Sequence, residues 1–144
     1  MRPWRTLLDA GELNDILEKA FPDARARKGL VREVAPGRVR LVQAFDPSML
    51  RPGGLISGPT LMGLADTAGY VIVMAHVGPE LMAVTTSLTI NFLRGARPGD
   101  ICVDAELLSL GRRNAVCDVR IWTEAPDRPA AQASVTYARS VATT

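Results

Sequence analysis

A single carboxylate lies in the middle of the most apolar stretch of the chain, GPTLMGLADTAGYVIVMAH, which runs from Gly58 to His76. This carboxylate is Asp66. The stretch has the length of a helix, and Pro59 suits the first turn because an N–H there would have no helical partner. An ionised carboxyl group is costly to bury unless it is paired or hydrogen-bonded. Asp66 is therefore either a general base or nucleophile, or a structural carboxylate that pairs with an arginine or caps a loop. This stretch alone leaves both interpretations open.

His76 is the only histidine of the sequence, and together with Ser57 and Asp66 it could suggest a nucleophilic triad. The helical rise places His76 roughly 15 Å along the axis from Asp66, and the strand–turn–helix elbow of a serine hydrolase is missing. We therefore expect His76 to interact with the carbonyl groups at the C-terminal end of the helix. One histidine and two separated cysteines do not form a zinc-binding pattern, so no metal is predicted.

The segments on either side of the central helix must position these groups. Residues 10–21 have apolar side chains at helical spacing after a candidate cap, Asp9. Strand patterns cover residues 30–34, 38–45, 83–93, 101–110, 115–124 and 129–141. The long strands after the central helix predict an antiparallel meander curled around it. Because that helix is apolar on nearly all faces, a sheet covers only part of it, and we expect a second subunit to cover the rest.

Length and composition fit one domain over residues 1–144, with residues 1–28 as an N-terminal helical extension. The net charge of +2 is too small to indicate nucleic acid, and no basic stripe with stacking aromatics appears. The central helix contains Asp66, a proline and glycines, so we do not predict that it spans a membrane. No signal peptide is apparent. Cys102 and Cys117 are expected to be reduced core residues that do not face each other, which is typical of a cytoplasmic protein.

Two stretches of the sequence resemble the hotdog-fold thioesterases, in particular the PaaI-like acyl-CoA thioesterases. GGLISGPTLMGLADTAGY is similar to the family pattern of Asn, Gly, His-Gly-Gly and a helix that reads L-A-D-T-A. AVTTSLTINFLRGARPGD is similar to the strand pattern A-T-x-x-L-x-I-N-F-L-R-P-A-R-x-G-D. The order of elements agrees from about residue 30 to the end. The resemblance implies an α+β hotdog fold, in which an antiparallel sheet wraps a long central helix. It also implies an acyl-CoA thioesterase that needs no cofactor.

The resemblance assigns the catalytic carboxylate to Asp66 and the backbone N–H that polarises the thioester carbonyl to Gly58. Thr85 corresponds to a small hydroxyl residue that positions water or the carboxylate. Asp66 lies two turns after Gly58 on the same helix, so the resemblance implies a site formed by Asp66 of one subunit and Gly58 of the other. A homodimer is then the smallest functional unit, and a homotetramer of two such dimers is expected. An apolar environment is expected to make Asp66 a better base or nucleophile than it would be in water.

The loop before the central helix matches the family only in part. Gly54 corresponds to the glycine of the upstream loop. Ser57 replaces the usual histidine, Pro59 replaces the last glycine, and Arg51 stands where many members have an asparagine that holds the nucleophilic water. These departures leave the carbonyl donor and the carboxylate in place and change the residues that would position substrate and water.

Four loop arginines are candidates for binding the phosphates of coenzyme A, because a guanidinium fork matches phosphate. The alternative for each is a solvated loop charge. They are Arg94, Arg97, Arg112 and Arg113. Two other functions stay open. Ser57 and Arg51 favour a non-catalytic acyl-CoA-binding hotdog protein. A hotdog hydratase or dehydratase is less favoured, since it would need a catalytic histidine in a different loop.

Overall fold

The computed structural model describes residues 4–22 and 29–139. Its elements are α1 (Ala10–Ala20), β1 (Val31–Ala35), β2 (Arg38–Gln43), a 3-10 turn (Pro47–Met49), α2 (Gly58–Val77), β3 (Val84–Phe92), β4 (Ile101–Leu110), β5 (Asn114–Trp122) and β6 (Ala131–Ala138). Every predicted helix and strand is present, with small differences at the ends. Residues 140–141 of the last predicted strand, and residues 1–3 and 23–28 of the predicted N-terminal extension, lie outside the described residues.

Helix α2 forms the centre of the fold. Ser57 has an extended backbone and caps its N-terminus, and Gly78 ends it at a φ of 92°, a conformation that glycine adopts without strain. Between Leu61 and His76 most side chains are buried. The helix is long and apolar enough to cross a membrane by length and composition alone, but most of it is buried inside the protein. Its apolar composition is accounted for by its position against the inner face of the sheet.

The six described strands form one antiparallel sheet in the order β1-β2-β4-β5-β6-β3. Strands β4, β5 and β6 form the predicted meander, whereas β3 lies beyond β6 at the far edge of the sheet. In the β4–β5 pair Cys102 lies opposite Trp122, and Cys117 lies opposite Leu107. The two free cysteines therefore do not face each other, as predicted. This sheet around α2 is the hotdog architecture that the resemblance implied.

Helix α1 is fixed to the opposite edge of the sheet by its side chains. Asp9 and Glu12 form a reciprocal capping box at its N-terminus. The Asn14 amide donates to the carbonyl of Val31 at 2.9 Å, and its oxygen accepts from the N–H of Val31 at 2.8 Å. Both backbone groups of an edge-strand residue are thus paired. Because Leu13 is fully buried as well, α1 is an integral part of the edge against which it packs.

Strand β3 forms the other edge of the sheet and pairs only with β6 among the described strands. Apolar side chains are exposed along it and around its ends, including Val84 (56%), Phe92 (53%) and Met82 (75%). Met62 of α2 is 43% exposed. An unpaired strand edge with exposed apolar side chains is typical of an interaction surface.

Candidate active site

Asp66 lies in the middle of α2 and is half-buried. Its carboxylate oxygen Oδ1 accepts a short hydrogen bond from the Thr85 hydroxyl of β3. The Tyr137 hydroxyl lies 2.9 Å from the same Oδ1 and 2.7 Å from the Asp66 carbonyl oxygen, so its single proton is shared between these acceptors. No hydrogen bond to Oδ2 is found among the described residues. Two hydroxyl groups therefore fix one oxygen of the carboxylate, and the second is available to a ligand or water.

Tyr137 was missed by the sequence analysis. It lies on the inward face of β6 with Ala131, Ala133 and Val135, and all four are buried. Burial raises the pKa of the Tyr137 hydroxyl, which is therefore a neutral hydrogen-bond donor. A buried tyrosine needs a partner for its O–H, so an inward-facing tyrosine on an otherwise aliphatic strand was the signal that could have found it.

The ring of Tyr137 fits closely against α2 because Gly69 has no side chain. A Cβ atom at position 69 would lie 2.8 Å from a ring carbon of Tyr137, closer than van der Waals contact permits. Gly69 is three residues after Asp66, so this close approach brings the phenol to the carboxylate. The sequence analysis predicted Thr85 near Asp66, and the structure places the two in direct contact.

A cavity of about 420 Å³ adjoins Asp66. Asp66, Thr85 and Tyr137 line one part of it, and the rest is mostly apolar. Apolar cavities of this size that contain a few convergent polar groups are typical of small-molecule sites. The carboxylate therefore has both a fixed orientation and room for a reactant beside it.

The N-terminus of α2 presents one backbone donor without a partner in the described part of the chain. The N–H of Thr60 donates to the Ser57 hydroxyl at 3.4 Å, and the N–H of Leu61 donates to the Ser57 carbonyl at 3.3 Å. Pro59 has no N–H. The Gly58 N–H remains, and it lies at the positive end of the helix dipole, where it can stabilise a developing negative charge. Ser57, predicted to bind substrate, has its hydroxyl engaged in capping the helix.

A second cavity of about 490 Å³ lies beside Gly58. Arg51, Phe92 and Arg94 also line it. Two arginines that the sequence suggested as substrate-binding residues therefore share one surface with the Gly58 N–H. Gly54 does not line this cavity. It has a φ of 78° in the turn that leads there, and its N–H donates to the Arg51 carbonyl at 3.1 Å. A left-handed φ of this kind favours glycine.

The cavities beside Asp66 and Gly58 share no lining residue. Eight residues of helix separate Asp66 from Gly58, which is about 12 Å along the axis. Within one chain, the carboxylate and the helix donor therefore lie too far apart to act on one carbonyl group.

The remaining predicted positions lie elsewhere. Arg112 and Arg113 are exposed at the turn between β4 and β5 and line neither of these cavities. His76 is buried, and its Nδ1 lies 2.8 Å from the Ile72 carbonyl oxygen, as expected for a histidine that binds helix carbonyls. Its Nε2 accepts from the N–H of Gly37 at 2.8 Å. Burial lowers the pKa of His76, and the neutral ring is bound on both sides.

Comparison with known proteins identifies the family. Residues 53–130 match the family model described as the thioesterase superfamily. A crystal structure of a provisionally named thioesterase from Silicibacter sp. TM1040 superimposes with a TM-score of 0.85 and 33% identity, over 96% of each chain. A provisionally named esterase of Saccharolobus solfataricus is 27% identical over 81% of this chain and 76% of its own length. The PaaI protein of the E. coli phenylacetic acid degradation operon has a TM-score of 0.75 at 20% identity, over 94% of this chain and 99% of its own, and shows the same fold.

The chain belongs to the thioesterase superfamily, and its fold is the hotdog fold of that family. It is a thioester hydrolase.

Proposed function

We propose that the protein hydrolyses acyl-CoA thioesters at a site formed by two subunits, with Asp66 from one and the Gly58 N–H from the other. One observation carries the proposal: Asp66 is fixed through a single oxygen by Thr85 and Tyr137, beside a cavity that can hold an acyl group. The second oxygen, Oδ2, has no hydrogen bond among the described residues. The arrangement fits a base whose second oxygen addresses a reactant.

In the proposed reaction, Oδ2 of Asp66 accepts a proton from a water molecule as that water attacks the thioester carbonyl carbon. The carbonyl oxygen becomes negatively charged and is stabilised by the Gly58 N–H of the partner subunit. Collapse of the tetrahedral intermediate breaks the carbon–sulfur bond, and the proton held by Asp66 passes to the departing thiolate. The products are a free acid and coenzyme A. Direct attack by Asp66 is the alternative route, and we favour the general base.

The assembly of two subunits is supported by the edge of the sheet. Strand β3 carries Thr85 near its start and Phe92 at its end, and Phe92 lies against Gly58. Pairing of two β3 edges would cover the exposed apolar side chains there and bring a second copy of this strand to the first. Such a dimer would let the cavity beside Asp66 of one subunit meet the cavity beside Gly58 of the other.

Coenzyme A is proposed as the carrier of the acyl group because Arg51 and Arg94 line the cavity beside Gly58. Their guanidinium groups could bind its phosphates, and Arg112 and Arg113 could extend that contact from the tip of a hairpin. We also propose a single domain over the whole chain, a tetramer of two dimers, a cytoplasmic location, and no binding of nucleic acid or membranes. These proposals rest on the resemblance and the composition.

Asp66→Asn tests the proposal, because the amide keeps the shape of the carboxylate but removes its basicity. General bases typically contribute a factor of about 10² to 10⁴, so we expect kcat to fall by that range while the dimer and acyl-CoA binding persist. Thiol release and thermal unfolding should be measured on the same preparation, with the exposed Asp127→Asn as matched control.

A purely structural Asp66 predicts a different result: the melting temperature falls, and activity is lost in proportion to unfolding. Near-normal turnover by Asp66→Asn would show that the carboxylate is outside the mechanism. If the wild-type protein bound acyl-CoA but released no thiol, the non-catalytic binder would be the correct function.

A further inference from the structure

The cavity beside Asp66 extends along one face of α2. Gly63, Asp66 and Tyr70 follow one another at helical spacing and all line it. Its volume of about 420 Å³ lies within the usual range of small-molecule pockets, about 300–1,000 Å³. A compact acyl group therefore fits beside Asp66.

The end of the cavity away from Asp66 is formed by α1. Leu17, Glu18 and Phe21 of this helix and its C-terminal cap line it. The ring of Phe21 meets Tyr70 edge-on, with the ring centroids 6.3 Å apart. Tyr70 is in turn fixed by a hydrogen bond from its hydroxyl to the Leu81 carbonyl at 2.8 Å. Four residues of helix separate Asp66 from Tyr70, so the backbones of these two residues are about 6 Å apart along α2.

Glu18 gives this end of the cavity a negative charge. Among the described residues that line the cavity, it is the only one besides Asp66 with an ionised side chain. It is half-buried, and within residues 4–22 and 29–139 it has no hydrogen bond or ion pair. An ionised carboxylate can only accept hydrogen bonds, and it repels a second carboxylate nearby. The Glu18 carboxylate therefore favours an acyl group that donates a hydrogen bond and disfavours one that carries a negative charge.

The position of Glu18 is fixed by the fold. Asn14, one turn earlier on α1, is held by both backbone groups of Val31, and Leu13 is fully buried. Glu18 thus projects from a helix that is anchored to the sheet. The anchored helix keeps the backbone of Glu18 at a constant position in the cavity wall, so its charge stays close to a bound acyl group.

We propose that α1 is the element that selects the acyl group, with Glu18 as its specificity-determining residue. The favoured acyl group is compact and ends in an uncharged hydrogen-bond donor such as a hydroxyl, and an acyl group that ends in a carboxylate is rejected. This inference rests on the proposed function, since it concerns the acyl part of the thioester that Asp66 would hydrolyse.

Three thioesters of coenzyme A with six-carbon acyl groups provide the test, because they differ only at the far end of the chain. They are hexanoyl-CoA, 6-hydroxyhexanoyl-CoA and adipoyl-CoA. For the wild-type protein we expect the highest kcat/KM with 6-hydroxyhexanoyl-CoA, and a kcat/KM for adipoyl-CoA that is lower by about tenfold or more, from like-charge repulsion in a partly exposed site.

Glu18→Gln should raise the ratio of kcat/KM for adipoyl-CoA to kcat/KM for hexanoyl-CoA by about tenfold, because it removes the charge at constant size. Asp15→Asn is the matched control, since Asp15 is exposed on the same helix and does not line the cavity. Glu18→Leu should abolish the preference for the hydroxylated chain.

Equal ratios of adipoyl-CoA to hexanoyl-CoA turnover in the wild type and Glu18→Gln would overturn the inference while leaving the proposed function intact. If neither these three thioesters nor acyl-CoAs with shorter and longer chains are hydrolysed, the proposed function fails. In that case the affinities of the wild-type protein and of Glu18→Gln for the same three ligands are measured by calorimetry. Equal affinity of the two proteins for adipoyl-CoA would overturn the inference that Glu18 selects the acyl group.

Discussion

Replacing Gly58 by proline removes a single hydrogen-bond donor from the start of α2. Position 58 is the first residue of the helix, where proline is well tolerated, and Ser57 before it already has an extended backbone. Gly58→Ala is the matched control. It introduces the same Cβ atom, 3.3 Å from the exposed ring of Phe92, and the same constraint from the following Pro59, but keeps the N–H. The two variants differ in the N–H donor and in the proline ring atoms Cγ and Cδ, which take its place.

The size of the effect follows from how few donors the helix start offers. The N–H groups of Thr60 and Leu61 are used by Ser57, and Pro59 has none. No neighbour can replace the lost donor. Removal of one oxyanion donor typically costs about 10²- to 10³-fold in kcat, or about 2.7–4 kcal/mol. We therefore expect kcat of Gly58→Pro to be lower than kcat of Gly58→Ala by a factor in the upper part of that range, and the two variants to have similar melting temperatures.

Thiol release from a good acyl-CoA substrate measures kcat for both variants. Co-refolding Gly58→Pro with Asp66→Asn adds a test of the shared site, because a mixed dimer contains one site with both groups intact. Random pairing should restore about one quarter of wild-type activity, although each variant alone is nearly inactive. Equal kcat for the proline and alanine variants would refute the donor role of Gly58, and a mixture as inactive as its components would refute the shared site.

Three further results are expected. Tyr137→Phe removes one of the two donors to the Asp66 carboxylate, and a hydrogen bond to a charged group contributes about 1.5–3 kcal/mol. We therefore expect kcat to fall by about tenfold or more with KM little changed. An unchanged kcat would mean that Thr85 alone positions the carboxylate. Replacing Arg112 and Arg113 together by alanine should raise KM for acyl-CoA but not for a short thioester without the nucleotide, and equal effects on both would exclude phosphate binding by this hairpin. Burial lowers the pKa of His76 below its ordinary 6.5, so the unfolded chain binds a proton more readily than the folded one. The contribution of His76 to the free energy of unfolding is therefore fully present above pH 6.5 and decreases as the pH drops below it. His76→Gln should flatten that slope in denaturant titrations between about pH 7 and 5.5, and an unchanged slope would assign it to other groups.

Local features of the sequence were enough to predict the elements and to single out Asp66 as a candidate. The apolar run after Pro59 predicts α2, because helix length and burial follow from composition and spacing over adjacent residues. The same locality explains why the cap at Asp9 and the strands of the meander were predicted within about three residues. Asp66 was recognisable because a lone carboxylate in an apolar helix is costly without partners.

Long-range pairing decided what the sequence left open. Strand β3 precedes β4 in the chain yet pairs with β6, and no local pattern encodes that crossover. It is this crossover that brings Thr85 of β3 next to Tyr137 of β6, and with it both donors to the carboxylate.

The sequence by itself determined the secondary structure through spacing and residue type within short segments, and its resemblance to the family gave the hotdog fold and singled out Asp66. The tertiary structure decided the use of the remaining groups. It committed the Ser57 hydroxyl to capping α2, left the Gly58 N–H unpaired within the described residues, and placed Glu18 of α1 in the wall of the cavity beside Asp66. The physical reason is that hydrogen-bond partners and cavity walls come from residues far apart in the chain, and only the packed fold brings them together.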